Sequence, residues 1–251
     1  MNILIANDDG IQAEGIRALA EALAEKGNVY VVAPDTQRSA SSHALSIHGE
    51  MYAEEVTDFP GAERAWKLSG TPADCVKLGL EILRRKGIET DIVYAGINHG
   101  ANLGTDTMYS GTVSAAAEGM FAGYPAVAVS VCSHFPKHFE AACSLAVNAF
   151  DRALETAGKG YLISINTPDL PQEKIKGVRT ARLGQMTYDE WFEEEEEMRF
   201  HYVGEPVKRT DHDEDIDVRL IEEGWATIST IKYDLNDYDA LKQAENWGIT
   251  L

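Results

Sequence analysis

Asn2-Ile3-Leu4-Ile5-Ala6-Asn7-Asp8-Asp9-Gly10 is the stretch that decides the fold. Ile3 to Ala6 is a short apolar run closed by turn residues, and it reads as a buried strand. Two adjacent carboxylates then stand at its carboxyl end, where an open α/β sheet places its chemistry. Neighbouring acids repel, and burying both without a counter-charge is costly. A hard divalent cation is the natural counter-charge, because Mg²⁺ and its relatives prefer oxygen ligands. Asn, Asp and Gly are also ordinary turn formers. On its own, Asn7-Asp8-Asp9-Gly10 therefore reads either as a cation site or as a polar βα turn.

Outward from this strand, strand and helix signals alternate. Ile16 to Ala24 has apolar residues at helical spacing, with Lys26-Gly27 as a stop. Asn28 to Ala33 is a second strand, ended by Pro34-Asp35 and followed by a polar loop to His43. Residues 45 to 56 and 64 to 69 read as two short strands around Pro60-Gly61. Thr71-Pro72 opens a helix with Pro at its favoured position. Asp91 to Ala95 is a strand, Ile97 to Tyr109 a Gly- and Asn-rich loop, and Gly111 to Ala122 a helix of small residues. Ala126 to Val131, Phe139 to Leu154 and Tyr161 to Ile165 continue as strand, helix, strand. This order implies an α/β chain with a mostly parallel sheet and helices on both faces.

After about residue 175 the pattern changes to strand-like pieces, the run Glu193 to Glu197, and an Asp/His-rich stretch at 211 to 217. Trp225 to Ile231 is a last strand, followed by a terminal helix. The expectation is one domain over 1–251: an α/β core at 1–175, and an extended C-terminal arm at 176–251 packing on the core or on another subunit. The Glu run reads as a solvated face.

A chain of 251 residues, 44% apolar and 25% charged, supports one sizeable soluble core. The start shows no basic leader, and no apolar stretch approaches the roughly 20 residues that span a bilayer. Cys75, Cys132 and Cys143 are odd in number and match no zinc spacing, so they read as buried free thiols of a reducing compartment. A cytoplasmic protein without a membrane partner is expected. The net charge of −19 excludes nucleic-acid polymers, whose backbones need cationic surfaces. It leaves room for a small phosphorylated ligand held by a metal and helix N-termini.

Three further loops leave strand ends and can meet the Asp pair. Arg38-Ser39-Ala40-Ser41-Ser42-His43 offers hydroxyls and an imidazole for a cation or a phosphate. In Gly96-Ile97-Asn98-His99-Gly100-Ala101-Asn102-Leu103-Gly104, glycines permit tight backbone geometry and the carboxamides supply neutral oxygens or donors. Ser110-Gly111-Thr112 opens a helix whose free N–H groups attract anions, although Ser110 reads equally well as a plain cap. Gly70-Thr71-Pro72-Ala73-Asp74 favours the plain structural reading. Among the seven histidines, His43 and His99 lie in these loops and are the candidates to touch substrate. His48, His134 and His138 read as surface or packing residues, and His201 and His212 as solvent-exposed. There is no GxxxxGK[ST], no GxSxG and, after the first strand, no GxGxxG, so that turn suits a cation better than a pyrophosphate.

Together, Asn7 to Gly10, Ala33-Pro34-Asp35 with Arg38-Ser39-Ala40, Gly70 to Val76, and GINHGANLGTDTMYSGTVSAAAEG at 96 to 119 resemble the SurE family of stationary-phase survival proteins. The match runs in order over about half the chain. The resemblance implies a Rossmann-like three-layer core and metal-dependent hydrolysis of nucleoside 5′- and 3′-monophosphates, with some activity on short polyphosphate. It implies one divalent ion per subunit, Mg²⁺ or Mn²⁺, held by Asp8, Asp9, Ser39 and Asn98. It also implies a homodimer or homotetramer joined through the C-terminal arm. Two departures lie in that arm. Thr227-Ile228-Ser229-Thr230 stands where the family has Ser-Ile-Thr-Pro, and the Glu193 to Glu197 run replaces a mixed stretch containing Arg.

The chemistry expected is phosphate monoester hydrolysis in which the cation polarises a phosphate oxygen and binds a water. Asp8 or Asp9 is the catalytic carboxylate that orients the water or takes its proton. Asn7, His43, Asn98, Ser110, Gly111 and Thr112 are the expected substrate contacts, the last four stabilising charge on the phosphoryl oxygens. Direct attack by an Asp is the alternative mechanism. A nucleotide- and metal-binding sensor or assembly module without turnover is the alternative function.

Overall fold

The protein, described here from a computed structural model, is defined over residues 1–206 and 213–247. His212 and residues 211–212 of the Asp/His-rich stretch lie outside the described residues.

The central strand β1 (Asn2–Ala6) buries both faces. Ile3 and Ile5 join one apolar cluster, with Leu19 and Leu23 of helix α1 (Glu14–Leu23) and with Ala142, Ala146 and Phe150 of α4 (Glu140–Leu154). Leu4 and Ala6 join the other, with Val76 and Leu83 of α2 (Pro72–Arg85) and Val113 and Ala117 of α3 (Gly111–Phe121). Period-two alternation along one strand thus builds both halves of a three-layer core.

β1 pairs in parallel with β2 (Asn28–Pro34) on one side and β5 (Ile92–His99) on the other. Parallel pairing continues from β2 to β4 (Arg64–Leu68), and from β5 through β6 (Ala126–Val131) to β7 (Leu162–Thr167). β3 (Ala53–Val56) closes one edge antiparallel to β4. The full nine-stranded order is β3-β4-β2-β1-β5-β6-β7-β11-β8, with β8 at Val178–Thr180 and β11 at Ala226–Ile231. The expected α/β Rossmann-like core with a mostly parallel sheet is what the chain forms.

Helix starts follow local chemistry. Thr71 and Asp74 form a reciprocal capping box with Pro72 in the first turn, so this segment has the structural role expected of it. The small residues of α3 let the helix lie against the sheet: a Cβ on Gly119 would fall 2.7 Å from Val93 Cβ.

Two expectations change. Residues 45 to 52 are not strand; only Ala53–Val56 pairs, and the Ser46 amide instead donates to Asp74 at 3.2 Å. β5 runs on to His99 through glycine, a residue that hides strands from propensity, with a register shift between Ala95 and Asn98. Beyond residue 175 the chain adds strands to the same sheet. β11 pairs antiparallel with β7 and parallel with β8, which carries the core sheet into the C-terminal segment. What stands apart is the antiparallel ribbon of β9 (Tyr188–Glu196) and β10 (Arg199–Pro206), where residues 193–197 are exposed. α5 (Asp217–Glu222) packs beside β11, and α6 (Tyr238–Ala244) has no buried residue. No helix among the described residues is long and apolar enough to cross a membrane.

Candidate active site

The chain leaves β1 towards β2 on one side and returns later as β5 on the other, so sheet order reverses between β1 and β5. In such sheets a crevice opens outside the carboxyl ends at this switch point. Here a cavity of about 1510 Å³ opens there, lined by Asp8, Asp9, Ser39, Asn98 and Ser110. Asp8, Asp9, Ser39 and Asn98, drawn from three loops, therefore face one space.

Asp8 is 5% exposed and is held from the start of α3. The Thr112 hydroxyl donates to its Oδ1 at 2.6 Å and the Thr112 amide to its Oδ2 at 3.2 Å. This approach requires glycine at 111, since a Cβ there would lie 2.8 Å from Asp8 Cβ and 2.9 Å from Oδ2. Burial pushes the Asp8 carboxyl up to about 6; the Thr112 hydroxyl opposes the rise and the Asp9 charge adds to it. Asp9 accepts from the His99 amide at 2.9 Å through Oδ2. Gln37 Nε2 lies 3.4 Å from Asp9 Oδ1 and donates to Ser39 Oγ at 2.8 Å, so it spans two loops. Burial raises the Asp9 carboxyl too, against the His99 amide, the Gln37 amide and the charge of His134. Asn98 donates its Nδ2 to Gly100 O at 2.9 Å, which leaves its carboxamide oxygen for a ligand. Ser110 caps α3, its Oγ accepting from the Val113 amide at 3.0 Å.

Several expected substrate contacts have other work. Asn7 locks the turn, donating to Gly10 O at 2.9 Å and accepting from the Gly10 amide at 3.2 Å. Thr112 is fully buried and spends both donors on Asp8, while Gly111 makes room for that carboxylate. His43 is not among the residues lining the cavity. Its Nε2 pairs with the buried Glu118 at 2.7 Å, which Lys77 also reaches at 3.1 Å, and its ring stacks on Phe121. This pairing anchors the loop after β2 to α3. Asn98 and Ser110 remain as lining residues.

His99 lines the cavity, but its Nε2 accepts from the Gly15 amide at 3.3 Å, and burial holds its pKa below the usual histidine value. His134, which reads from sequence as a surface or packing residue, lines the same cavity beside Gly100 and Asp9. Its signal is positional: it lies three residues past the end of β6, at the edge that carries the other loops. Tyr109 and Phe135, both exposed, also line the cavity. The thiols are free; Cys75 is buried while Cys132 and Cys143 are half-buried, and burial pushes all three pKa values up.

Among the described residues no three or more His, Cys, Asp or Glu side chains gather as a metal site. The donor set is instead two carboxylates with neutral oxygens, and none of the lining residues is Lys or Arg. Carboxylates raised by burial and paired with no Lys or Arg fit a hard divalent ion that keeps some of its waters. They do not fit a nitrogen- and sulfur-bound zinc.

The chain matches the model of the family described as "Survival protein SurE" over residues 3–190. It is 42% identical over 257 residues to the 5′-nucleotidase SurE of Synechococcus sp. (strain JA-3-3Ab), covering 100% of this chain and 98% of that protein. With the 5′-nucleotidase SurE of Petrotoga mobilis (strain DSM 10674 / SJ95) the identity is 36% over 251 residues, covering 98% and 99%. The crystal structure of the Sure protein from Aquifex aeolicus superposes with a TM-score of 0.84 at 31% identity, covering 98% of this chain and 99% of that one.

Proposed function

The chain belongs to the SurE family, and from that premise we propose that it is a metal-dependent 5′-nucleotidase whose reaction centre is the cavity at the β1/β5 switch point. The observation that carries the reading is the convergence of Asp8, Asp9, Ser39 and Asn98 on one cavity with no Lys or Arg among its lining residues. These residues would hold one Mg²⁺ or Mn²⁺ per subunit. When bound, such an ion polarises a phosphate oxygen and makes a bound water more acidic.

The side chains divide the rest of the work. Asp8, fixed by Thr112, is the rigid ligand. Among the described residues Asp9 Oδ1 is engaged only by the long Gln37 contact, so Asp9 is the carboxylate that turns the attacking water and takes its proton. The Asn98 carboxamide and the Ser110 hydroxyl at the start of α3 offset charge gathering on the phosphoryl oxygens. Water is favoured over direct attack by Asp because both carboxylates are needed as ligands.

Nucleoside 3′-monophosphates and short polyphosphate are further substrates under this reading. A cavity larger than the roughly 300–1,000 Å³ of most small-molecule sites supports that breadth. A homodimer or homotetramer is supported by apolar side chains left exposed on the C-terminal elements, among them Phe192, Phe200, Leu241 and Trp247. A cytoplasmic location is supported by the three free thiols.

The test is phosphate release from AMP in Mg²⁺, with Asp8→Asn beside the wild type. Release that vanishes in the variant supports the reading. Nucleotide binding without release by the wild type supports the sensor alternative.

A further inference from the structure

Hydrolysis of a nucleotide ends by expelling a sugar alkoxide, a poor leaving group unless it is protonated as the bond to phosphorus breaks. Resting on the nucleotidase reading above, we propose that His134 is the general acid that delivers this proton.

The choice follows from what the other groups in the cavity are doing. Asp8 is held as an acceptor by Thr112, and Asp9 is the base that takes the water proton, so neither is the acid for the leaving oxygen. Asp106 is bonded to the Tyr188 hydroxyl. His99 spends its Nε2 as an acceptor for the Gly15 amide. The His134 ring lines the cavity and makes no hydrogen bond to another described residue. Among the described residues, neither of its nitrogens has a hydrogen-bond partner.

The turn that carries it is anchored. Cys132 N donates to Thr167 O at 2.8 Å and Ser133 N to Val131 O at 2.8 Å, tying the turn to β7 and β6. Ser133 Oγ accepts from the Phe135 amide at 3.2 Å and shapes the bend at His134. Gly100 then sets the distance to the candidate ligands. A Cβ built there would lie 3.5 Å from His134 Nδ1 and 3.6 Å from Asn98 Nδ2, so ring and carboxamide flank one glycine. Gly100 has φ +133°, a conformation that excludes most side chains, which keeps that flank open. His134 also interacts favourably with the charge of Asp9.

The step balances. Water oxygen forms the new bond to phosphorus as the bond from phosphorus to the sugar oxygen breaks. The imidazolium N–H proton passes to the departing oxygen, giving the nucleoside hydroxyl. The water proton passes to Asp9 and returns from there to His134. The products are nucleoside and inorganic phosphate.

Leaving-group dependence separates this role from a structural one. p-Nitrophenyl phosphate expels an anion that is stable at neutral pH and needs no proton. His134→Ala and His134→Gln should lower kcat/KM for AMP by about 100-fold or more, the usual worth of general acid catalysis. The same variants should change p-nitrophenyl phosphate turnover by less than about threefold and leave calorimetric Mn²⁺ binding unaltered. Equal losses on both substrates, no loss on AMP, or weakened Mn²⁺ binding would each overturn the assignment. A wild type that releases no phosphate from AMP would instead defeat the nucleotidase reading, and this inference with it.

Discussion

Asp8→Asn should make the protein inactive and, when stripped of metal, more stable. In the folded chain burial raises the Asp8 carboxyl from 3.8 to about 6. At ~1.4 kcal/mol per pH unit, ionising it at pH 8 costs the fold about 3 kcal/mol relative to the unfolded chain. The sign follows from proton uptake. Between about pH 4 and 6 the folded protein keeps a proton on Asp8 that the unfolded chain has lost, so stability falls as pH rises through that window. Asparagine carries no such charge. It also keeps both contacts, since its oxygen can accept from the Thr112 amide and its NH₂ can donate to the Thr112 hydroxyl. In EDTA at pH 8 the variant should melt higher by roughly 6–12 °C, at about 2–4 °C per kcal/mol for a chain of this size. At pH 5 the gain should fall to about half. Saturating Mg²⁺ should then narrow or reverse the order, because only the wild type gains binding energy, about 2.7 kcal/mol at 100-fold over Kd. Scanning calorimetry with and without EDTA reads all of this. A variant that melts at or below the wild type in EDTA at pH 8 would refute the claim that Asp8 is a strained, buried anion.

Chelation should abolish phosphate release, and Mg²⁺ or Mn²⁺ should restore it; activity that persists after exhaustive EDTA dialysis would remove the metal from the account. Gly111→Ala puts a methyl 2.8 Å from Asp8 Cβ, so turnover should drop by about 100-fold or more with circular dichroism unchanged, and near-normal turnover would show that Asp8 has room to move. Asp217 is 1% exposed and accepts from the amides of Gly104, Gly184 and Val218, each at 2.8 Å. Asp217→Ala should therefore cost about 3 kcal/mol in urea denaturation, and a loss under about 1 kcal/mol would mean water replaces those bonds. Ser39→Ala should weaken Mn²⁺ binding severalfold by calorimetry while Thr36→Ala should not, and equal effects would remove Ser39 from the ligand set.

How much of this was legible in sequence depended on whether the signal was local. The Ile3 to Ala6 run and the acids after it sit in one short window, and both the buried strand and the position of the carboxylates at the sheet edge could be read there. The small residues of α3 likewise announced close packing, which Gly119 against Val93 bears out. The partners of the site were hidden because they come from afar. Thr112 looked like an anion donor at a helix start, but its donors go to Asp8, 104 residues earlier. His43 lay in a loop rich in hydroxyls, yet a buried Glu118 takes its ring out of the cavity lining. His134 had no motif around it and joined the site only through its place past β6. The sequence could not say which strands the last one joins, because its partners, β7 and β8, lie before the ribbon in sequence.

The central claim is that oxygens from three loops grip one hard ion. Crystals grown with Mn²⁺ and measured at the manganese absorption edge test it most directly. One anomalous peak per chain should stand about 2.1 Å from oxygens of Asp8, Asp9, Ser39 and Asn98, with waters filling the remaining positions. A peak elsewhere in the chain, or one touching neither aspartate, would contradict it.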